Sequence, residues 1–247
     1  MKTIGVVCEG DRDYEMITET ITHFMNEEYH YYWLQPNPEF GTENGNGWKG
    51  VWRWCISHSG NLGKYMRGIT PAIDLIIVQM DADVARCEPE VYCHNIDISC
   101  PGQGHEDLLN CRIAKNNGCK QPLPPNSACD GTIQSRVVYL KSIIGGELCI
   151  QDGDPVVITI PCDSTDSWVV AAFEDDSIEP ETMDSPWDNL IAKKKDYHGI
   201  RVPGRRKGKK PYAAMIEKVC DNWERVKQRC TQAYDFEESV RVYFNKS

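Results

Sequence analysis

Two aspartates separated by one residue, Asp81-Ala82-Asp83, close the clearest strand-like run in the chain, and a glutamate, Glu9, closes another. Residues i and i+2 leaving a strand point to the same side, so Asp81 and Asp83 can present two carboxylates to one point. Hard divalent ions such as magnesium take oxygen ligands, keep several waters, and need only one or two carboxylates beside a phosphate. The spacing therefore predicts a metal seat at Asp81 and Asp83, which Glu9 would complete if its strand lies next to theirs. The competing expectation for an isolated D-x-D is that it caps the following helix or turn.

The elements needed to position these acids are written in the hydrophobic pattern. Residues 3 to 8 (TIGVVC) and 73 to 80 (IDLIIVQM) are short apolar runs rich in β-branched residues, as expected of strands buried on both faces. Residues 155 to 160 (PVVITI) repeat that pattern, and 30 to 34 (HYYWL) give another strand. Between them, Asp11 to Glu28 carries Tyr14, Ile17, Ile21 and Phe24 at helical spacing, with Asp11 as the expected N-cap. A helix is expected over Trp48 to Arg67, broken near Ser57 to Gly60, and others over Ile133 to Ile144 and Asp163 to Phe173, the last capped by Asp163 or Ser164. Pro211 to Cys230 predicts one long helix and Phe236 to Phe244 a final one. Alternating strands and helices of this kind predict an α/β fold, a parallel sheet covered by helices on both faces. In such sheets ligands bind at the carboxyl ends of the strands, where Glu9, Asp81, Asp83 and the Pro161 to Asp166 segment fall. The division expected is a core over 1–83 and 132–176, a Cys-rich insertion over 84–131, a linker with a basic loop over 177–210, and a helical C-terminal extension over 211–247.

Charge is unevenly distributed. From Lys193 to Lys210 the chain holds nine Lys or Arg against one Asp, a local charge of +8 that leaves −18 for the remainder of a protein whose net charge is −10. An acidic body with one basic segment argues against a nucleic-acid coat spread over the whole surface and for a polyanion gripped at one place. Lys193, Lys194, Lys195, Arg201, Arg205, Arg206, Lys207 and Lys209 are the candidate phosphate-gripping residues, with Tyr197 and Tyr212 at hand for base stacking. The alternative is a solvated charge run. Six of the twelve cysteines, Cys87, Cys93, Cys100, Cys111, Cys119 and Cys129, crowd the insertion. With no C-x-x-C pair among them, structural thiols are the first expectation and a zinc ion drawing on Cys93, His94, Cys100 or His105 the second. Trp168 and Trp223 are read as core anchors.

The order E-G-x-x-D after the first strand (Glu9 to Asp13) and D-x-D after a later one resembles the TOPRIM domain of topoisomerases, primases and several nucleases. The small TOPRIM proteins encoded beside ATPases in prokaryotic phage-defence loci are the more similar group. Their acid-x-Trp helix is matched by Asp166-Ser167-Trp168, and their Lys and aromatic before a long helix by Lys209, Lys210 and Tyr212. Asp166 stands where Glu is usual, and the Cys-rich insertion lies outside the pattern. The resemblance implies metal-dependent hydrolysis of DNA or RNA phosphodiesters with magnesium or manganese. Glu9, Asp81 and Asp83 would be catalytic and metal-binding, Asp13 or Asp166 would stand near a second ion, and Lys210 or Lys209 would stabilise transition-state charge. It also implies a partner ATPase; the chain itself has no G-x-x-x-x-G-K-[ST] loop. The other reading of the acids is a non-catalytic metal-binding or receiver-like regulatory module using Asp11, Asp81 and Lys141 or Lys210. The opening MKTIGVVCEG is too poor in apolar residues for a signal-peptide core, and no run approaches the roughly 20 apolar residues of a membrane helix, so a cytoplasmic location without membrane contact is expected.

Overall fold

The computed structural model describes residues 1–36, 44–85, 130–192, 198–200, 202 and 207–246. Most of the Cys-rich insertion, with its zinc candidates, lies outside the described residues, as do Lys193, Lys194, Lys195, Tyr197, Arg201, Arg205 and Arg206.

Four strands, β1 (Thr3–Val7), β2 (His30–Gln35), β3 (Leu75–Gln79) and β4 (Val156–Thr159), form a sheet of order β2-β1-β3-β4 in which every pairing is parallel. β1 and β3 are buried along their whole length, which is why their sequences are apolar without alternation. Side chains nevertheless alternate between faces. Ile4, Val6, Leu75 and Ile77 pack to one side, and Val7, Ile76 and Val78 to the other. Gly5 in the middle of β1 leaves room for Leu34, since a Cβ there would stand 2.6 Å from Leu34 Cδ1 and the leucine would have to shift.

One face is covered by α1 (Asp11–Met25), α5 (Asp166–Phe173), α6 (Pro186–Ala192) and three C-terminal helices, α7 (Lys209–Asp221), α8 (Trp223–Arg229) and α9 (Thr231–Lys246). Trp168 and Trp223 meet edge-on at its centre, 5.4 Å between ring centroids, and both are core residues as expected. The other face is covered by α2 (Gly47–His58), α3 (Leu62–Gly68) and α4 (Ile133–Glu147). The α/β architecture with helices on both faces is thus as the sequence predicts, and the break between α2 and α3 falls next to Gly60, whose φ is +66°.

Several boundaries differ from expectation. Helix α1 ends at Met25, because Asn26 turns left-handed at φ 52° and closes on the carbonyls of Thr22 and His23. Gly10 and not Asp11 is its N-cap. Neither Asp163 nor Ser164 caps α5. Thr165 takes that position, while Asp163, left-handed at φ 60°, accepts a hydrogen bond from the Ser185 amide at 2.9 Å. The segment expected as linker contains a 3₁₀ turn (Pro180–Thr182) and α6. Lys209 and Lys210 belong to α7, where Pro211 falls in the first turn and its missing N–H costs nothing. The single helix expected over 211–230 is two, parted at Asn222, and α9 starts at Thr231. These helices are the cover of one sheet face, in the same apolar cluster as Ile4 and Ile77.

From β1 the chain moves outward to β2, then returns to the opposite side of β1 to form β3. The order reverses between β1 and β3, and at such a switch point the carboxyl ends of the strands open a crevice.

Candidate functional site

Glu9 and Asp81 stand on the two sides of that crevice, each two residues beyond the last residue of its strand. A Glu9 carboxylate oxygen, Oε1, accepts the Asp81 backbone N–H at 2.8 Å. Gln79, fully buried at the end of β3, joins the same pair from below. Its Nε2 donates to Asp81 Oδ1 at 2.7 Å and its Oε1 accepts the Glu9 N–H at 3.2 Å. Glu9 also faces the start of α2, where its carbonyl accepts from Gly47 N at 2.9 Å and its carboxylate from the Trp48 N–H. Asp83 lies in a 3₁₀ turn (Ala82–Ala85) tied to the loop after β4, Ala82 N donating to Pro161 O and Asp83 N to Asp163 O, each at 3.1 Å.

A second group of acids lies between α1, α5 and α7. Asp13, in the first turn of α1, is buried and accepts the Thr165 hydroxyl at 2.7 Å. Asp166 opens α5 and is 1% exposed; its Oδ2 is paired with Lys207 Nζ at 2.5 Å and its Oδ1 accepts the Tyr212 phenol at 3.0 Å. Ser164 adds a longer hydroxyl bond of 3.3 Å. Lys207 is fixed from behind, for its carbonyl accepts the Arg12 Nε–H at 3.2 Å.

The electrostatics follow from this crowding. Burial, then the charge of Asp83, pushes Glu9 up to about 8, against the pull of the Asp81 and Trp48 amides. Burial raises Asp81 well above the usual carboxylate range, and Asp13, Glu9 and Asp83 add to it while Lys207 opposes. Asp13 is raised by burial, with Lys207 and the Thr165 hydroxyl acting against it. Burial alone would lower Lys207, but the negative charges of Asp166, Asp13 and Asp81 outweigh it and hold the ammonium above its ordinary value. The site thus carries more negative charge than its lysine balances and favours uptake of a proton or a cation.

Of the residues singled out in the sequence, Glu9, Asp13, Asp81, Asp83 and Asp166 gather at this edge. They do not form one compact ligand set, since no group of three His, Cys, Asp or Glu side chains arranged to hold a metal ion occurs among the described residues. The lysines are not placed alike. Lys210 is exposed, and Lys209, 79% exposed, reaches Glu15 at 4.0 Å. Both ride on the outer side of α7, whose inner face is Tyr212, Met215, Ile216 and Val219. Lys207, expected to grip phosphate, turns inward instead. Tyr212, one of the two aromatics at hand for stacking, is wholly buried. Of the residues of the receiver-like set, Asp11 pairs with Arg12 at 3.2 Å and Lys141 with Asp235 at 3.7 Å. Gln79 and Thr165 were missed. The signal for Gln79 was available, a lone polar residue in the run LIIVQ, where burial of an amide costs energy unless it is hydrogen-bonded. Thr165 carried no such signal.

Fold and site together define an α/β protein with an acidic crevice at its topological switch point. No family model matches the chain, and no curated protein or solved structure matches it. Among the described residues no helix is long and apolar enough to cross a membrane.

Proposed function

We propose that the chain is a divalent-metal-dependent phosphodiesterase acting on DNA or RNA, a TOPRIM-type nuclease. The observation that carries this reading is the contact of Glu9 Oε1 with the Asp81 amide across β1 and β3, which brings two carboxyls of raised proton affinity together at the switch point. The donors fit a hard cation: they are carboxylate oxygens, partly buried, mutually repelling and undercompensated. Magnesium or manganese would be held by Asp81 and Asp83 beside Glu9, with Asp13 nearer the second acidic group. Such an ion, when bound, neutralises phosphoryl oxygens and activates water.

The chain's own residues have narrower tasks. Gln79 fixes the Asp81 carboxylate and the Glu9 backbone together, so the two cannot separate to relieve their repulsion. Glu9, whose carboxylate stands beside Asp81 in the same crevice, would accept a proton from an attacking water. Lys207 supplies positive charge at the Asp13 side of the crevice. The basic residues between 193 and 206 would draw in a polyanion that the acidic body repels. Action as a phage-defence effector with a partner ATPase belongs to the same proposal and rests on the sequence resemblance.

A second reading has its own support. Glu9 ties the start of α2 to β3, and Asp166 is already paired with Lys207, so the acids also serve as structural ties in a non-catalytic module. One experiment separates the two. Purified protein with magnesium or manganese, offered mixed DNA and RNA, is compared with Asp81→Ala. The nuclease reading expects cleavage lowered by about 100-fold or more, a typical cost of removing a group that acts in the transition state. Equal degradation by both proteins, or none by either, favours the structural module.

A further inference from the structure

A cavity of about 440 Å³ lies between the first turn of α4, the loop after β4 and the 3₁₀ turn at 180–182. It shares that loop with the acidic crevice. Cys162 lines the cavity, and the carbonyls on either side of it, Pro161 O and Asp163 O, accept the amides of Ala82 and Asp83. Arg136 lines the cavity from α4, its side chain 12% exposed. A guanidinium carries five N–H donors. Among the described residues the one hydrogen bond this guanidinium makes runs from Nη2 to Gly131 O at 3.5 Å, while Nε and Nη1 are buried and make none. Its ion-pair partner, the Asp184 carboxylate, lies 3.7 Å from Nη1, beyond hydrogen-bond range. Buried donors left in this state are uncommon in folded proteins and point to an acceptor that arrives from outside.

The lining limits what that acceptor can be. A planar guanidinium fork is met best by two acceptors side by side on one edge. They must be uncharged, because Glu181 and Asp184 line the same space and two carboxylates against one guanidinium repel an anion. Glu181 Oε1 is already engaged by the Cys162 thiol at 3.4 Å and the Gln232 amide at 3.0 Å, whereas the Asp184 side chain is 69% exposed and can turn toward a donor on the ligand. Two neighbouring neutral acceptors for Arg136 and a donor for Asp184 describe guanine, whose O6 and N7 accept from arginine and whose N1–H and N2–H₂ suit a carboxylate. Adenine sets a donor beside its N7 instead. We propose that this cavity takes one unpaired guanine base of a nucleic acid, read by Arg136 and Asp184. The inference rests on the nucleic-acid substrate proposed above and deepens it by naming the base selected. Turning Arg136 toward the base gives up no hydrogen bond at Nε or Nη1, since neither makes one. The base must be out of a duplex stack to be read on both edges, so single-stranded segments are the ones selected.

The test offers guanosine, adenosine, cytidine and 7-deazaguanosine, uncharged nucleosides that report the base alone, to the full chain in metal-free buffer, with binding followed by saturation-transfer NMR. Guanosine binds the wild type about tenfold more tightly than adenosine or cytidine, a discrimination within that expected of one bidentate pair. 7-Deazaguanosine, which lacks the N7 acceptor, falls to the adenosine level. Arg136→Met loses the preference for guanosine. Asp184→Asn, a change at an exposed side chain that leaves the fold intact, weakens guanosine binding several-fold. Equal binding of the four nucleosides, binding of none, a preference for cytidine, or a guanosine preference that survives Arg136→Met overturns the proposal. Failure here stays distinct from failure of the nuclease reading. Cleavage of nucleic acid by a protein blind to guanosine removes the base site alone, and guanosine binding without cleavage of any strand removes catalysis alone.

Discussion

The two acidic groups at the strand ends are built from the same residue types and solve the same problem differently. Around Asp166 the chain supplies a full set of partners, a lysine, a phenol and a hydroxyl, and the carboxylate is sealed from water. Around Glu9 and Asp81 the hydrogen-bond donors are amides, from Gln79, Asp81 and Trp48, the charge of Lys207 only partly offsets the crowding at Asp81, and both carboxyls hold their protons more tightly. Amides orient a carboxylate without cancelling its charge, whereas an ammonium does both. The difference separates a closed ion pair from a pair of carboxyls whose charge is left under-compensated.

That contrast can be broken from the closed side, where the largest effect is expected. Lys207→Met leaves Asp166 buried without its cation and costs on the order of 3 kcal/mol in urea denaturation. Adding Asp166→Asn removes the stranded charge and recovers most of the loss. A cost under about 1 kcal/mol for Lys207→Met, the scale of a surface ion pair, erases the distinction between the two groups.

The open side is sharpened by pH, because the Glu9 carboxyl there takes up a proton as pH falls. The folded protein binds the Glu9 proton up to about 8, against an ordinary value of 4.5. Between those values the folded state holds more protons than the unfolded chain, so stability is present below about 4.5 and is lost as pH rises toward 8. Glu9→Gln keeps an oxygen for the Asp81 amide and cannot ionise. Its stability relative to wild type therefore rises from pH 5 to pH 8.5 in metal-free buffer. A difference that stays constant over that range shows that Glu9 does not carry the strain.

How much of this was legible in the sequence follows from which contacts are local. The strands announced themselves because IGVV and LIIV, within β1 and β3 buried on both faces, show no polar alternation, and the acids shortly after them fall at the strand ends. The adjacency of β1 and β3 was not legible, because strand order has no local signal, and only the fold supplies it. The inward lysine was not legible. Lys207, Lys209 and Lys210 lie within four positions among glycines, and the choice between them rests on where α7 begins and on Arg12, 195 residues away in sequence. The break at Asn222 was hidden for a similar reason. Apolar spacing continues from Val219 through Trp223 to Val226, and the turn is decided by how α8 and α9 pack on α5 and β4.

The central claim is that the crevice between β1 and β3 receives a divalent cation through Asp81. Manganese binding followed by electron paramagnetic resonance, on wild-type protein and on Asp81→Asn at equal concentration and pH, tests it without reference to any substrate. The account predicts saturable binding to the wild type and affinity weakened at least tenfold in the variant, since a formal charge at the ligand is removed while its shape is kept. Identical titrations for the two proteins, or the absence of saturable binding to either, would contradict it.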